Sequence, residues 1–474
     1  MTRLRASLCL VLVGLTLAGA LLVPSGDVRA LPIYAQRSGH TCGNCHVSPT
    51  LEDAEGWENP DLSDRKCTLS CVGCHTNPTG GGLRNTSGRY YGQSTVAMLP
   101  KQDRSYSDLA RELFSDERIW EFKQKRGAPP VTGDDGRTIP SDEAEAEAGV
   151  GAGQTGARLQ WGKPLGGHHT MAFWDGRYDD LNADPAVWLG ADLRAAYWSG
   201  SNSVFPMQLD LAVGVHPVHR VTFSATLGAS RDPRYPVFAR NAFVLLHELP
   251  GMSWVKGGVF LPAYGLYTDD HTSFTRDWFE MDIGDPANRV LGVEVGTAPN
   301  YPYASFSVFR NAAAVPVDDD TGWGMAVMGG WRDLGWGIGG HAMVKQRRGE
   351  GRGDLYAAGV QWSYTPLHIY DRLPLTLQGE ASLGYRVLGN RAQRHVALMQ
   401  EAWWTVRNGL SVRGKVDIGA HDAGKPGAWQ HRYSLGLEVA PIPGVSLTPM
   451  VRALWMPSAG TVNPDVLLLT HFWF

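Results

Sequence analysis

From about residue 157 to the carboxyl end, apolar and polar positions alternate with a period of two, in short runs broken by Gly, Pro, Asn and Asp. Runs of this kind predict strands with one apolar face. Three show it well. Val221, Phe223, Ala225 and Leu227 alternate with Thr222, Ser224 and Thr226. Val412, Gly414, Val416 and Ile418 alternate with Ser411, Arg413, Lys415 and Asp417, so the second face carries both signs of charge. Tyr433, Leu435, Leu437 and Val439 alternate with Ser434, Gly436 and Glu438. At about twenty residues per strand and turn, the region holds near sixteen strands; a count of candidate segments gives about sixteen to eighteen.

Alternation suits a soluble sandwich as well as a membrane barrel, since both have one apolar face. Aromatic placement separates them. Tyr197 and Trp198, Trp331 and Trp336, Trp403 and Trp404, and Trp455 gather near segment ends, where interfacial girdles lie. The last segment, Asp465 to Phe474, puts Val466, Leu468, Phe472 and Phe474 on one face and stops on an aromatic carboxyl terminus. The expected fold class is therefore all-β, a transmembrane antiparallel β-barrel of about sixteen strands. Composition agrees: 57 Gly, 17 Trp and 16 Tyr with 19% charged residues suit many strands and tight turns. A formal net charge of -4 gives no basic face for nucleic acid. No repeat of 20 to 50 residues stands out, which argues against a propeller or solenoid.

The remainder divides by composition. Residues 1–30 read as a cleaved signal peptide, with Arg3 and Arg5 ahead of an apolar run from Leu8 to Val23, and small residues at Val28 and Ala30. That run is too short for a spanning helix, so the mature chain is expected to start at Leu31 in the outer membrane of a bacterium. Residues 31–100 hold the cysteines. Residues 101–156 form a charged linker or plug, with a helical candidate from Asp108 to Lys125 and an acidic run at Asp142, Glu143, Glu145 and Glu147 that reads as a solvated stretch. Residues 157–474 are the barrel.

Cys9 leaves with the signal, and the other five cysteines cluster at Cys42, Cys45, Cys67, Cys71 and Cys74. A disulfide framework would spread them; clustering suggests a cofactor site. Cys42, Cys45 and His46 form one CxxCH unit, and Cys71, Cys74 and His75 a second. Two thiols at this spacing reach one edge of a porphyrin while the next His binds iron, so two covalently attached haem c groups are expected, with His46 and His75 on iron. A zinc ribbon also uses paired CxxC units, but needs no His after each pair and sets the pairs closer. Thioredoxin-type chemistry would need a βαβ context. Candidates for a sixth haem ligand are His40, Met98, His168, His169 and Met171. Cys67 is an odd thiol, open to a free, intermolecular or haem-side role. Gly80, Gly81 and Gly82 supply flexible backbone next to the second unit, with Arg84 or Arg89 placed to pair with a propionate; a phosphate loop would continue with Lys and Ser or Thr. No nucleophile and base stand together as in a hydrolase.

With the segment from Leu31 to Arg37 leading into CxxCH, and a barrel ending in Phe474, the chain resembles the fused cytochrome-porins of the outer membrane, among them the iron-oxidising outer-membrane cytochromes. The resemblance implies an electron conduit between an extracellular donor or acceptor, such as Fe(II) or Fe(III), and a periplasmic cytochrome or other carrier. Viewed as an enzyme, such a protein is a metal-ion oxidoreductase. The iron-oxidising type carries one haem motif; this chain carries two, and Cys67 besides. Two haems end to end would shorten the gaps across an apolar band about 25 Å tall. A passive porin with a periplasmic cytochrome tether, and a barrel sheathing a separate multihaem cytochrome, are the alternatives.

Overall fold

The computed structural model describes residues 71, 75–84, 96–99, 131–132, 138–139, 187–218, 220–229, 236–266, 272–299, 301–311, 322–333, 335–347, 353–365, 374–407 and 409–473. Val131–Thr132 (β1) and Thr138–Ile139 (β2) pair as a small ladder. Sixteen strands then form a closed antiparallel barrel, each paired with its chain neighbour. They are Val187–Trp198 (β3), Ser203–Val218 (β4), Val221–Ala229 (β5), Val237–Leu249 (β6), Ser253–Phe260 (β7), Val290–Thr297 (β8), Pro302–Arg310 (β9), Trp323–Arg332 (β10), Trp336–Lys345 (β11), Asp354–Tyr364 (β12), Leu375–Leu388 (β13), Arg391–Arg407 (β14), Leu410–Ala420 (β15), Trp429–Val439 (β16), Val445–Met456 (β17) and Thr461–Trp473 (β18). Closure is made by β18 on β3, where Leu469 pairs with Ala196 and Trp473 with Asp192.

Each of the three alternating segments lies on one strand, β5, β15 and β16. The apolar face points out. Phe223, Leu227, Leu435 and Leu437 are exposed, whereas Thr222, Ser224, Thr226, Lys415, Asp417 and Ser434 are buried. This inverts a soluble sandwich, whose apolar face is the buried one, and matches strands that meet hydrocarbon outside and a polar lumen inside. In the last strand Val466, Leu468 and Phe472 face outward as expected, although the strand starts earlier, at Thr461. Phe474 lies outside the described residues.

Outward aromatics form two girdles. Trp198, Trp323, Trp429 and Trp455 ring one end; Trp336, Tyr364 and Trp404 ring the other. Trp403 corrects the sequence expectation: adjacent strand positions face opposite sides, so with Trp404 outward Trp403 points into the lumen, beneath the Arg413 guanidinium at 4.6 Å. Trp331 is half-buried and stacks on Tyr301. The rim carrying Trp336 and Trp404 has mostly short turns and the end of β18; the opposite rim carries the longest connection, 261–289.

That connection turns back into the barrel. Its described residues include a short α-helix, Phe274–Asp277 (α1), and a 3-10 turn, Pro286–Asn288, and pack Tyr264, Phe274, Trp278, Phe279 and Met281 into a buried cluster with strand residues such as Phe309, Met343 and Leu355. Glycines on the wall provide the seats. A Cβ on Gly384 would come within 2.8 Å of the Phe279 ring, and one on Gly419 within 2.5 Å of Trp278. Polar anchors reach the wall on several sides. Arg276 pairs with Glu380 at 2.6 Å, Ser273 donates to Asp417 at 3.0 Å, and Arg432 donates to the Thr272 carbonyl at 2.6 Å. Buried pairs of this sort roughly offset their own desolvation, so the apolar contacts hold the loop and the ion pairs set its position.

The outward face generates a stability prediction. Leu435 sits at mid-strand on β16 with 63% of its surface exposed. Leu435→Arg is expected to destabilise the barrel by about 2–4 kcal/mol, the cost of a cation at the bilayer midplane. Urea unfolding in lipid vesicles measures it.

Candidate functional site

Of the two CxxCH units, Cys71 and His75 of the second are described; Cys42, Cys45, His46 and Cys74 lie outside the described residues, as do Cys67, Arg89, His40, His168, His169, Met171 and both features of the 101–156 linker. The His75 N–H donates to the Cys71 carbonyl at 2.8 Å. A bond of this spacing brings the backbones of the two residues together. Cys71 is in no disulfide. Burial pushes its thiol pKa up, against the pull of the Arg332 guanidinium beside it.

Immediately after His75 the backbone reverses. Thr76 N–H donates to the Leu83 carbonyl at 3.0 Å, and His75 and Arg84 form an antiparallel bridge. Asn77 closes the tip, its Nδ2 donating to the Gly80 carbonyl at 2.8 Å and its Oδ1 accepting from the Thr79 hydroxyl at 3.1 Å. Gly80, Gly81 and Gly82 have φ of 97°, 74° and 69°. Three successive left-handed residues need glycine, so the triplet read as flexible is a fixed reversal. Gly80 has a second constraint, since a Cβ there would lie 3.2 Å from the Cys71 sulfur.

This turn stands inside the barrel. Its base is at the short-turn rim, where the Arg84 guanidinium lies 5.3 Å from the Trp473 ring and Cys71 neighbours Arg332, the last residue of β10. Leu83 packs against β4 where Gly214 leaves room; a Cβ on Gly214 would meet Leu83 at 2.8 Å and Trp188 at 2.9 Å. Higher up, the Thr76 and Ser224 hydroxyls are 3.4 Å apart. Lys256 Nζ donates to Asn77 Oδ1 at 3.1 Å and pairs with Glu294 at 2.7 Å, both side chains fully buried. At mid-lumen the tip faces the inward loop across a cavity of about 40 Å³, lined by Asn77, Gly80 and Gly82 from one side and Tyr264, Gly265 and Arg276 from the other. Only a few waters fit in that space.

Met98 is placed elsewhere. Its N–H donates to the Ala440 carbonyl at 2.8 Å, Leu99 N–H donates to Pro441 at 3.1 Å, and its side chain covers Gly409. It lies across two turns of the short-turn rim, and no described contact joins it to His75. Sequence reading missed Lys256, Glu294, Asn77 and the whole inward loop. The available signal was an aromatic-rich stretch, Tyr264 to Met281, between two clean strand patterns.

The described residues of the second unit, Cys71 and His75, fit in donor type the haem c that its motif implies: a thiol in no disulfide and, four positions on, a His whose N–H bonds the Cys71 carbonyl. The cavity at the tip is far too small for a porphyrin, so it is no part of that fit.

No family model matches the chain, and no curated protein matches it. Among solved structures, OmpT of Vibrio cholerae aligns at 8% identity over 61% of this chain and 97% of its own, with a TM-score of 0.46. The anion-selective porin of Comamonas acidovorans aligns at 13% identity over 61% and 99%, TM-score 0.47, and OprB of Pseudomonas putida at 11% over 65% and 98%, TM-score 0.45. Likeness at this level carries no argument about substrate, cofactor or partner. The barrel stands on its own strand pairing.

Glu280, on the inward loop, supplies a pH prediction. Burial opposes its ionisation, yet Lys345, Arg347 and Arg386 surround it and bring its pKa down to about 2. A depressed carboxylate pKa contributes stability that is complete above the ordinary glutamate range and is lost as pH falls through the folded value. The positioning that these ion pairs supply is expected to be complete above the ordinary glutamate value of 4.5 and to be lost as pH falls from there through about 2, shifting the loop on its apolar seat. Fluorescence of Trp278 during acid titration follows it, and Glu280→Gln should abolish that acid step.

Proposed function

We propose that the protein is an outer-membrane electron conduit, in which a cytochrome segment carrying two haem c groups passes electrons between the cell exterior and periplasmic carriers. The observation that carries this reading is the position of the Cys71–His75 turn, at the mouth of the lumen with its following reversal inserted to mid-barrel. Barrels of bacterial outer membranes have short periplasmic turns and longer external loops, so the rim holding Cys71, Arg84 and Met98 is the periplasmic one. Cys71 and Cys74 would hold one haem with His75 on its iron, and Cys42, Cys45 and His46 the other. When bound, haem supplies one-electron chemistry at iron, with a potential set by axial ligand, dielectric and nearby charge. The chain's own part is to hold His75 at the mouth of the lumen, to place the Arg332 and Arg84 cations nearby, and to keep bulk water from the tip. An external donor or acceptor such as Fe(II) or Fe(III), and a periplasmic cytochrome as partner, complete the proposal.

A passive porin is the second reading, favoured by the closed barrel with charged lumenal residues on many strands. Against it, the lumen is entered from both ends by packed segments.

Purified protein should stain for haem, and intact mass should show two porphyrins on the mature chain. In proteoliposomes it should reduce or oxidise an acceptor or donor across the membrane without partners. His75→Ala should keep both covalent haems and lose transmembrane transfer by a large factor. A colourless protein with open-pore conductance would favour the porin.

A further inference from the structure

Lys256 is a fully buried cation on β7, and its surroundings divide between two parts of the chain. Glu294 of the neighbouring strand forms an ion pair with it at 2.7 Å. The Phe260 ring lies 4.4 Å from the ammonium and the Phe243 ring 5.6 Å. The remaining described contact, Asn77 Oδ1 at 3.1 Å, comes from a residue 179 positions earlier in the sequence. An ammonium has three donors and no acceptor, and leaving one unsatisfied in a dry site costs more than a neutral hydrogen bond yields. The wall therefore presents a cation that is satisfied by the turn, and Asn77 is oriented for it, since its own amide is tied to the Gly80 carbonyl.

We infer that the turn Thr76–Leu83 is a built-in plug of the short-turn half of the lumen, latched there by Lys256 through Asn77. The two closures come from opposite ends and differ in kind. The inward loop is bound by an apolar cluster and several ion pairs, whereas the turn is held by Leu83 in the Gly214 gap, the Thr76–Ser224 contact and the Lys256 bond. The turn is the weaker of the two, and withdrawing it towards the periplasm would reopen the mid-lumen on its side of the 40 Å³ cavity. This inference concerns closure alone and does not rest on haem.

The test uses the full chain with Thr79→Cys as a reporter near the tip, in vesicles, with labelling read as the adduct at position 79 so that the native thiols do not count. With Lys256 in place, labelling from the periplasmic side should be slow. Lys256→Met should raise the labelling rate about tenfold or more, the factor associated with one charge-assisted hydrogen bond. Because Lys256→Met leaves Glu294 buried without its cation, Lys256→Met combined with Glu294→Gln is the second variant; it keeps the turn's own hydrogen bonds and should give the same faster labelling. Asn77→Asp, which offers Lys256 a carboxylate, should keep labelling slow. Folded Lys256→Met and Lys256→Met/Glu294→Gln proteins that stay protected would overturn the latch, whether or not the protein carries haem.

Discussion

A strand in hydrocarbon has no water for its backbone groups, so every one must be paired by another strand, and the sheet has to close on itself. Here the closing seam is β18 on β3, and the rest of the molecule follows from it. Once closed, each strand has an outside and an inside. Period-two alternation then sends Leu435 and Phe223 to lipid, and Lys415, Asp417 and Ser224 to the lumen. A cylinder of sixteen strands is wide enough to be a channel, so what occupies its interior decides its behaviour.

The interior is occupied by two different means. The loop between β7 and β8 brings its own apolar core, seating Trp278 and Phe279 on wall glycines that a side chain would displace. The turn after Cys71 and His75 brings little apolar surface beyond Leu83 and is placed by polar contacts. Buried charges on the lumen wall are arranged in local pairs, such as Arg240 with Asp210, Lys256 with Glu294 and Arg452 with Asp465. A wall satisfied pair by pair tolerates an inserted segment without a large net field.

Much of the architecture was legible in the chain because a barrel strand writes its environment into adjacent residues. The alternating runs at β5, β15 and β16, the strand number and the exposed tryptophans at segment ends all follow from that period. The errors were local. Trp403 and Trp404 read as one girdle site, but neighbouring residues on a strand must face opposite ways. The glycine triplet read as slack, although its φ values show a fixed fold-back. Met98, one candidate for a sixth ligand, has its backbone and side chain engaged by the rim turns, which no local pattern announced.

By itself, the sequence determined the strand period, the face that meets lipid and the residue types of the Cys71–His75 unit, because each of these is a relation between residues close in the chain. Only the tertiary structure decided which lumenal groups meet the N-terminal turn. Lys256 and Asn77, Ser224 and Thr76, and Gly214 and Leu83 are separated by more than a hundred residues and are joined only when the cylinder closes around the segment. Contacts across a lumen depend on circumference and height in the barrel, and neither is written in any local pattern.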